Sequence, residues 1–559
     1  MLTKFSGVNY KAFENFELPL KPITVLLGAN SCGKSALINA LLMFSQTAET
    51  SSISESALRL NANKVGMGES LNIIKDKIPK NVLKFRFELD DTDLVRREIF
   101  NIKREFVEFY FICIRVMGQY FRSTKTPNTQ ALNTLDLLES KYMLHDSYNL
   151  AQLREISNSL CVLIDIYKGD KDRLDAKKSR PITEKIHNFL ENTTKEAIHN
   201  SLIHLASLGA RKITPKNVEY SFVYNHKEDR LKIIECSFHN FSSECFIKVG
   251  VAKGKFFVKS DVIKRSALNH SKTQIEKIIN FDSISLLNRN SNMPMFIERY
   301  VLSPDPFTTL LERIINDLTK KFINELSGVK INHVSPLRAF PQRYYLLDKS
   351  IHHTQLNALD GTELAEVLKK NPEIKNKINL LLAKFNLAVD VEKVNDIIHK
   401  INITQDKINL ELTDVGFGIS QVLPILVQAY LSPKESITII EQPEIHLHPN
   451  MQAWLTDALI NIALEEGKKF LIETHSDALV RRIRLRIVDE NSLLTSHDVN
   501  ICNLERNNER SSTTLTNLLI QDDGDVIWPA GFLDVEIDDA VKIQKFKVQR
   551  NLKNAKGGE

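Results

Sequence analysis

The segment GANSCGKS, Gly28 to Ser35, carries the strongest chemical signal in the chain. A glycine, four residues, then Gly33, Lys34 and Ser35 is the spacing of a phosphate-binding loop. Glycines at both ends let the backbone curl until successive N–H groups point inward at phosphate oxygens. Lys34 then reaches the β- and γ-phosphates and the Ser35 hydroxyl coordinates Mg2+, while a helix starting there adds the partial positive charge of its N-terminus. The flanks agree: the unbroken apolar run Ile23 to Leu27 reads as a buried strand, and Lys34 to Ser45 reads as a helix.

A phosphate-bound metal needs an acidic partner on a second strand. In ESITIIEQPEIHLHP, residues 435 to 449, the apolar run Ile437 to Ile440 ends at Glu441, about 400 residues after Lys34, so a large insertion splits the site. A third apolar strand, FLIETHSDALV at 470 to 480, ends in a polar turn with His475. Upstream of the acidic strand, DVGFGISQVLPIL breaks the chain at Gly416 and Gly418 before Ser420 and Gln421. It reads either as an ordinary helix start capped by Ser420 or as a Gly/Ser loop reaching a γ-phosphate on a second subunit. His446 and His448 likewise allow two readings, a metal pair or contacts with a partner subunit.

In this order the segments resemble the ABC-type ATPase head of the SMC and OLD-like superfamily. More narrowly, SPLRAFPQRYY (335–345) and DGDVIWPAGFLDVEIDD (523–539) are similar to AAA-type ATPases with an extra C-terminal region, most of all the PtuA-type ATPases of Septu anti-phage systems, some of which accompany retrons. The resemblance implies a homodimer of heads with two ATP molecules sandwiched between them. It implies phosphate contacts from Gly28, Asn30, Ser31, Gly33, Lys34, Ser35 and Ala36, and Mg2+ held by Ser35 and Glu441. Gly418 and Ser420 would form a signature acting in trans, and His475 would sense the γ-phosphate. Gln46, near the end of the loop's helix, is a candidate metal or water contact.

One position departs from related heads, which carry their catalytic glutamate directly after the acidic strand. Here that residue is Gln442. An amide cannot act as a general base, a role worth ~10²–10⁴ in rate. Glu444 is the candidate substitute, and the expectation is tight binding with slow turnover of ATP. The resemblance also implies an HNH-type nuclease subunit as partner and, in retron-linked systems, a reverse transcriptase with its RNA–DNA hybrid. Two other classes remain open: an OLD-like nuclease, for which the roughly 80 residues after His475 are too few, and a RecF-like head that clamps DNA.

The elements that must position these groups follow from hydrophobic period. Leu2 to Val8 and Phe16 to Leu18 read as further strands; residues 93 to 210 are helical, interrupted by a charged stretch at 168–181; residues 218 to 258 read as an antiparallel meander. Helices are expected at 271–284 and 306–327, and a second α/β stretch from about 361 to 500. The expected fold is α/β: an ABC-ATPase-like P-loop head, a mixed sheet with flanking helices, carrying a large helical plus β-meander insertion. Its parts would be 1–92 and 328–500 for the head, 93–215 and 216–327 for the insertion, and 501–559 for a tail with a basic end.

Composition adds exclusions. The 559 residues hold 74 basic and 69 acidic side chains, a net charge of +5 that decides nothing about nucleic acid. Positive charge gathers instead at Lys171, Arg173, Lys177, Lys178 and Arg180, and at Lys542, Lys545, Lys547, Arg550, Lys553 and Lys556. Each run reads as a solvated segment or as a contact for nucleic acid or an acidic partner. Six cysteines without CxxC spacing indicate neither a disulfide framework nor a zinc site. With no signal-peptide pattern and no run of about 20 apolar residues, a cytoplasmic protein is expected.

Overall fold

In the computed structural model the described residues are 1–50, 56–90, 93–124, 128–142, 145, 147–170, 181–287, 300–301, 303, 305–336, 338, 341–346, 356, 363–395, 397–507, 512–528 and 541–548. The basic run 171–180 and Arg550, Lys553 and Lys556 fall outside them, whereas Lys542, Lys545 and Lys547 are described and exposed.

Five apolar segments build the half of the main sheet that matters most for the P-loop. They are β3 (Ile23–Gly28), β9 (Ile331–Val334), β14 (Ile437–Glu441), β15 (Lys469–Glu473) and β16 (Val499–Asn507). All five pair in parallel, in the order β16-β3-β15-β14-β9. A parallel strand covered on both faces needs apolar residues at successive positions, which is the pattern of ITVLL, ITII and KFLI. Leu26, Ile439, Leu471 and Cys502 enter one core, with the P-loop helix α1 (Lys34–Thr50) and the insertion. Val25, Ile440, Ile472 and Ile501 enter a second core on the opposite face.

The same sheet continues through a second half. β17 (Ser512–Leu518) pairs with β16 and with β2 (Phe13–Pro19), then follow β1 (Leu2–Tyr10), β4 (Leu83–Leu89) and the meander β5 (Pro215–Asn225), β6 (Arg230–Asn240), β7 (Cys245–Ala252) and β8 (Lys255–Lys259). Among the described residues thirteen strands thus form one sheet, and the meander extends the head's own edge rather than standing apart. Pairing with β5 covers the open backbone edge of β4, which would otherwise invite pairing with other chains. Aromatic side chains line the buried face of this half. Phe44 of α1 lies edge-on to Phe85 (4.9 Å) and Phe87 (4.8 Å), so the antiparallel strands grip the P-loop helix.

The helical insertion lies on that same face. α2 (Asp93–Ser123) buries Ile99, Phe106, Phe109, Cys113 and Phe121 along one side and packs against α3 (Thr129–Tyr142), α4 (Leu150–Gly169) and α5 (Pro181–Asn192). α6 (Lys195–Ser201), α7 (Arg265–Ile278) and α8 (Pro306–Leu326) complete it, and Phe322 of α8 meets Phe87 at 5.1 Å. α7 ends before the expected residue 284. The Asn280 and Ser283 side chains turn the chain there by accepting from the N–H groups of Asp282 and Ser285, and the Asn280 N–H donates to the Leu286 carbonyl.

Between β9 and β14 runs a smaller antiparallel sheet: β10 (Tyr345–Leu346), β11 (Leu387–Lys393), β12 (Ile398–Gln405) and β13 (Ile408–Glu411). It and helices α9 (Leu364–Lys370) and α10 (Pro372–Leu382) precede α11 (Phe417–Leu431). α12 (Pro449–Glu466) and α13 (Asp477–Val488) pack together beside β14 and β15. All six cysteines are unpaired, and among the described residues no helix is long and apolar enough to cross a membrane.

Candidate functional site

The parallel strand ends set the site. β3 stops at Gly28, whose φ of 139° and 2.4 Å approach of a would-be Cβ to the Leu504 carbonyl leave room for glycine alone. Ser31 (φ 64°) and Gly33 (φ 104°) continue the curl into α1. Ala29, Asn30, Ser31 and Ser35 are exposed while Lys34 is 4 % exposed. Its ammonium donates to the carbonyls of Gly28 (2.9 Å) and Ala29 (3.1 Å). The first turn of α1 holds no acidic residue of its own to offset the helix's attraction for an anion.

The next strands bring acids beside this lysine. Glu441 ends β14 and faces Glu473 at the end of β15, paired in register, while Glu473 pairs with Leu26 of β3 on its other side. Glu473 Oε1 is 3.8 Å from Lys34 Nζ. Glu441 Oε1 lies 2.7 Å from His333 Nε2 on β9. Four neighbouring strands or their loops therefore contribute Lys34, Glu473, Glu441 and His333 in a row. Burial, and then the facing Glu441, push the Glu473 carboxyl up to about 7. Burial works to raise Glu441 too, but the His333 ring outweighs it and holds that carboxyl below its ordinary value.

The turn after β14 is held from both sides. Gln442 adopts a left-handed conformation (φ 45°), its N–H donating to the Glu473 carbonyl at 2.7 Å. Arg338 donates to the carbonyls of Glu441 (3.0 Å) and Gln442 (3.1 Å), and burial lowers its guanidinium to about 10. The Glu444 carboxylate is engaged by the Thr474 hydroxyl and the His475 N–H, both at 2.7 Å. It therefore ties the Gln442 turn to the His475 turn. The His475 ring is exposed; burial of its inner edge and nearby Lys34 lower its pKa against the pull of Glu444. A small cleft joins Gly28 to Thr474, His475 and Asp477.

Residues 1–480 match the AAA ATPase domain family. The chain belongs to that family. No curated protein matches it. Among solved structures it is similar to the Smc head domain with an extended coiled coil bound to the C-terminal domain of ScpA from Pyrococcus furiosus, at 11 % identity over 97 % of this chain and 98 % of that chain, with a TM-score of 0.33. It is also similar to the SMC head domain from Thermotoga maritima, at 6 % identity over 92 % and 98 %, with a TM-score of 0.31. The protein is thus an ATPase of the AAA type, and the family implies a bound nucleotide.

Within this AAA-type ATPase, two of the residues singled out from sequence fall away from the strand ends. Gln46 lies three turns along α1 from Ser35, about 16 Å at ~1.5 Å per residue. Its buried amide bonds the backbone of Arg59 and Val65, which leaves it nothing to offer a metal or water at the P-loop. Ser420 sits inside α11 at 3 % exposure, so its hydroxyl is not presented to a second subunit. The outward end of that helix is Asp414 to Gly416, and Gly418 rests on Met451 and Leu447. His448 caps α12 through Asn450, and among the described residues no three His, Cys, Asp or Glu side chains form a metal cage.

Sequence reasoning left three residues at these strand ends without a role: Glu473, His333 and Arg338. Glu473 carried a usable signal, because it ends an apolar strand as Glu441 does. His333 and Arg338 lie about 100 residues from their partners; Arg338 falls in the segment SPLRAFPQRYY, but nothing there points to its partner, and His333 carried no signal.

Proposed function

We propose that this ATPase binds Mg·ATP at residues 28–36, turns it over slowly, and acts as the regulatory subunit of an anti-phage complex. The observation that carries the catalytic part is the convergence of Lys34, Glu473 and Glu441 at adjacent strand ends, with an amide, Gln442, at the next position. Backbone N–H groups of Gly33 to Ala36 and the exposed Ser31 and Asn30 would hold the phosphates. The donor set suits magnesium, since one or two carboxylates, a serine hydroxyl and phosphate oxygens are the hard ligands it takes. Ser35 and Glu441 would hold it, and when bound it would offset phosphate charge as the γ-phosphoryl group leaves.

Gln442 would orient the attacking water without taking its proton. Glu444 is committed to Thr474 and His475, so on this reading it couples the two turns rather than replacing the missing base. Gly418 and the outward end of α11 would meet the nucleotide of a second head. The division into head, helical insertion, meander and tail stands on the same footing.

The defence role, an HNH-type nuclease partner and, in a retron setting, a reverse transcriptase with its RNA–DNA hybrid rest on the resemblance of the motif-bearing segments. Purification from the native host with identification of the co-purifying protein and nucleic acid tests them. A nuclease subunit in stoichiometric amount is the expected result; recovery of the chain alone would overturn that reading. Equilibrium binding of ATP to the wild-type chain, lost in Lys34→Ala, tests the nucleotide site itself.

A further inference from the structure

Glu473 stands where no second acid is needed to complete a P-loop and one metal-binding carboxylate. It is 5 % exposed, yet its Oε2 has no hydrogen-bond donor. Its neighbour Glu441 is acceptor-only when ionised and directs Oε1 to His333. The cation facing Glu473 is Lys34, at 3.8 Å from Oε1. That lysine also spends its donors on the carbonyls of Gly28 and Ala29, inside the very loop that phosphates must enter. To reach a phosphate Lys34 must leave these partners, and Glu473 then loses the charge that balances it. A buried carboxylate stripped of its partner is strongly disfavoured unless it takes up a proton, shared with the facing Glu441, or another cation arrives.

Resting on the reading of this site as a Mg·ATP site, we infer that Glu473 is a second acidic partner of the divalent cation. Lys34 is its counter-ion in the nucleotide-free protein, and the cation takes that place when nucleotide binds. Two carboxylates with phosphate oxygens are a donor set magnesium accepts. The consequence is coupling. Nucleotide without a divalent cation brings its negative charge against Glu441 and an unbalanced Glu473, so the site discriminates against metal-free ATP more sharply than one acid alone allows.

The test is ATP affinity of the full-length chain in excess Mg2+ and in EDTA, with Mn2+ electron paramagnetic resonance as a direct probe of the metal. Glu473→Gln should bind ATP more tightly than wild type in EDTA, and Mg2+ should strengthen its binding ~10–100-fold less than it does for wild type. Its Mn2+ affinity in the presence of ATP should fall by the same factor. Glu473→Asp, which keeps the charge, should recover most of the metal dependence. An unchanged ratio of Mg2+ to EDTA affinities in Glu473→Gln would overturn the inference, as would an equal loss in both conditions, the mark of a structural role. If the wild-type chain binds no ATP in either condition, the reading of the site fails instead.

Discussion

The two halves of the main sheet do different work with different strand chemistry. In the parallel half the strands bury mostly apolar side chains on both faces, with a few buried polar ones such as Thr24, Asn332 and Thr438, and the acids and lysine of the site collect where the strands end: Glu441, Glu473 and the loop that leads to Lys34. In the antiparallel half polar and apolar residues alternate, as in the burial of β1, and the apolar face closes on α1 through Phe5, Phe85 and Phe87. One half presents chemistry; the other immobilises the helix whose first turn holds the phosphate-facing groups. The insertion backs this grip from behind, where Phe322 of α8 packs on Phe87, although its strands lie far from the strand ends that carry charge.

Substitutions can break that division of labour, the largest effects being expected at the strand ends. Lys34→Ala should abolish ATP binding in equilibrium dialysis and lower the thermal midpoint, because it leaves the buried Glu473 carboxyl without its cation; retained binding would remove the parallel half from the chemistry. Gln442→Glu should raise steady-state turnover ~10²-fold or more by restoring a general base, read from phosphate release at saturating ATP. No change would mean that the left-handed turn at 442 cannot aim a carboxylate at the water.

On the other side, Phe44→Ala should cost ~3–5 kcal/mol in denaturant unfolding, the usual penalty for emptying a buried aromatic site. ATP affinity should fall with it, because α1 loses its grip on the sheet. If affinity stays at the wild-type level, the antiparallel half is not a support for the loop.

Smaller effects sharpen the picture. Asp457 on α12 takes bidentate contacts from Arg482 and Arg486 of α13. Burial works to raise its carboxyl, but hydrogen bonds from Arg486 and Arg482 outweigh this and lower it. With the folded value below the unfolded one of about 3.9, this stability is present above pH ~4 and is lost as pH falls further. Asp457→Asn should cost on the order of 1–2 kcal/mol at pH 7, discounted for partial exposure, and less at pH 3. The smallest effect belongs to Ser420→Ala: about 1 kcal/mol in stability and ATP turnover within twofold, because its hydroxyl is buried in α11.

Much of this was legible from residue order. The P-loop is a local object: its glycines, lysine and serine bend and charge one short stretch of backbone, and the strand before it and helix after it show in the hydrophobic period. Glu441 and Gln442 were legible for the same reason, as the end of an apolar strand. The meander's alternation marked β5 to β8 as strands, but a period of two says nothing about which edge they extend. Ser420 was misjudged because the two glycines just before it suggested an open loop, whereas Ile419, Val422 and Leu423 draw that first turn of α11 into the core.

The amino-acid order by itself determined that a phosphate loop, an acidic strand and a histidine turn exist, and that the usual glutamate after the acid is an amide. Those features reside in backbone conformations and side chains a few residues apart. Only the tertiary structure decided that β15 inserts between β3 and β14, which sets Glu473 against both Lys34 and Glu441. It also decided that Arg338 and His333 return to the same strand ends. Strand order in a parallel sheet is chosen by how helices pack across its two faces, and no local pattern in the chain encodes that choice.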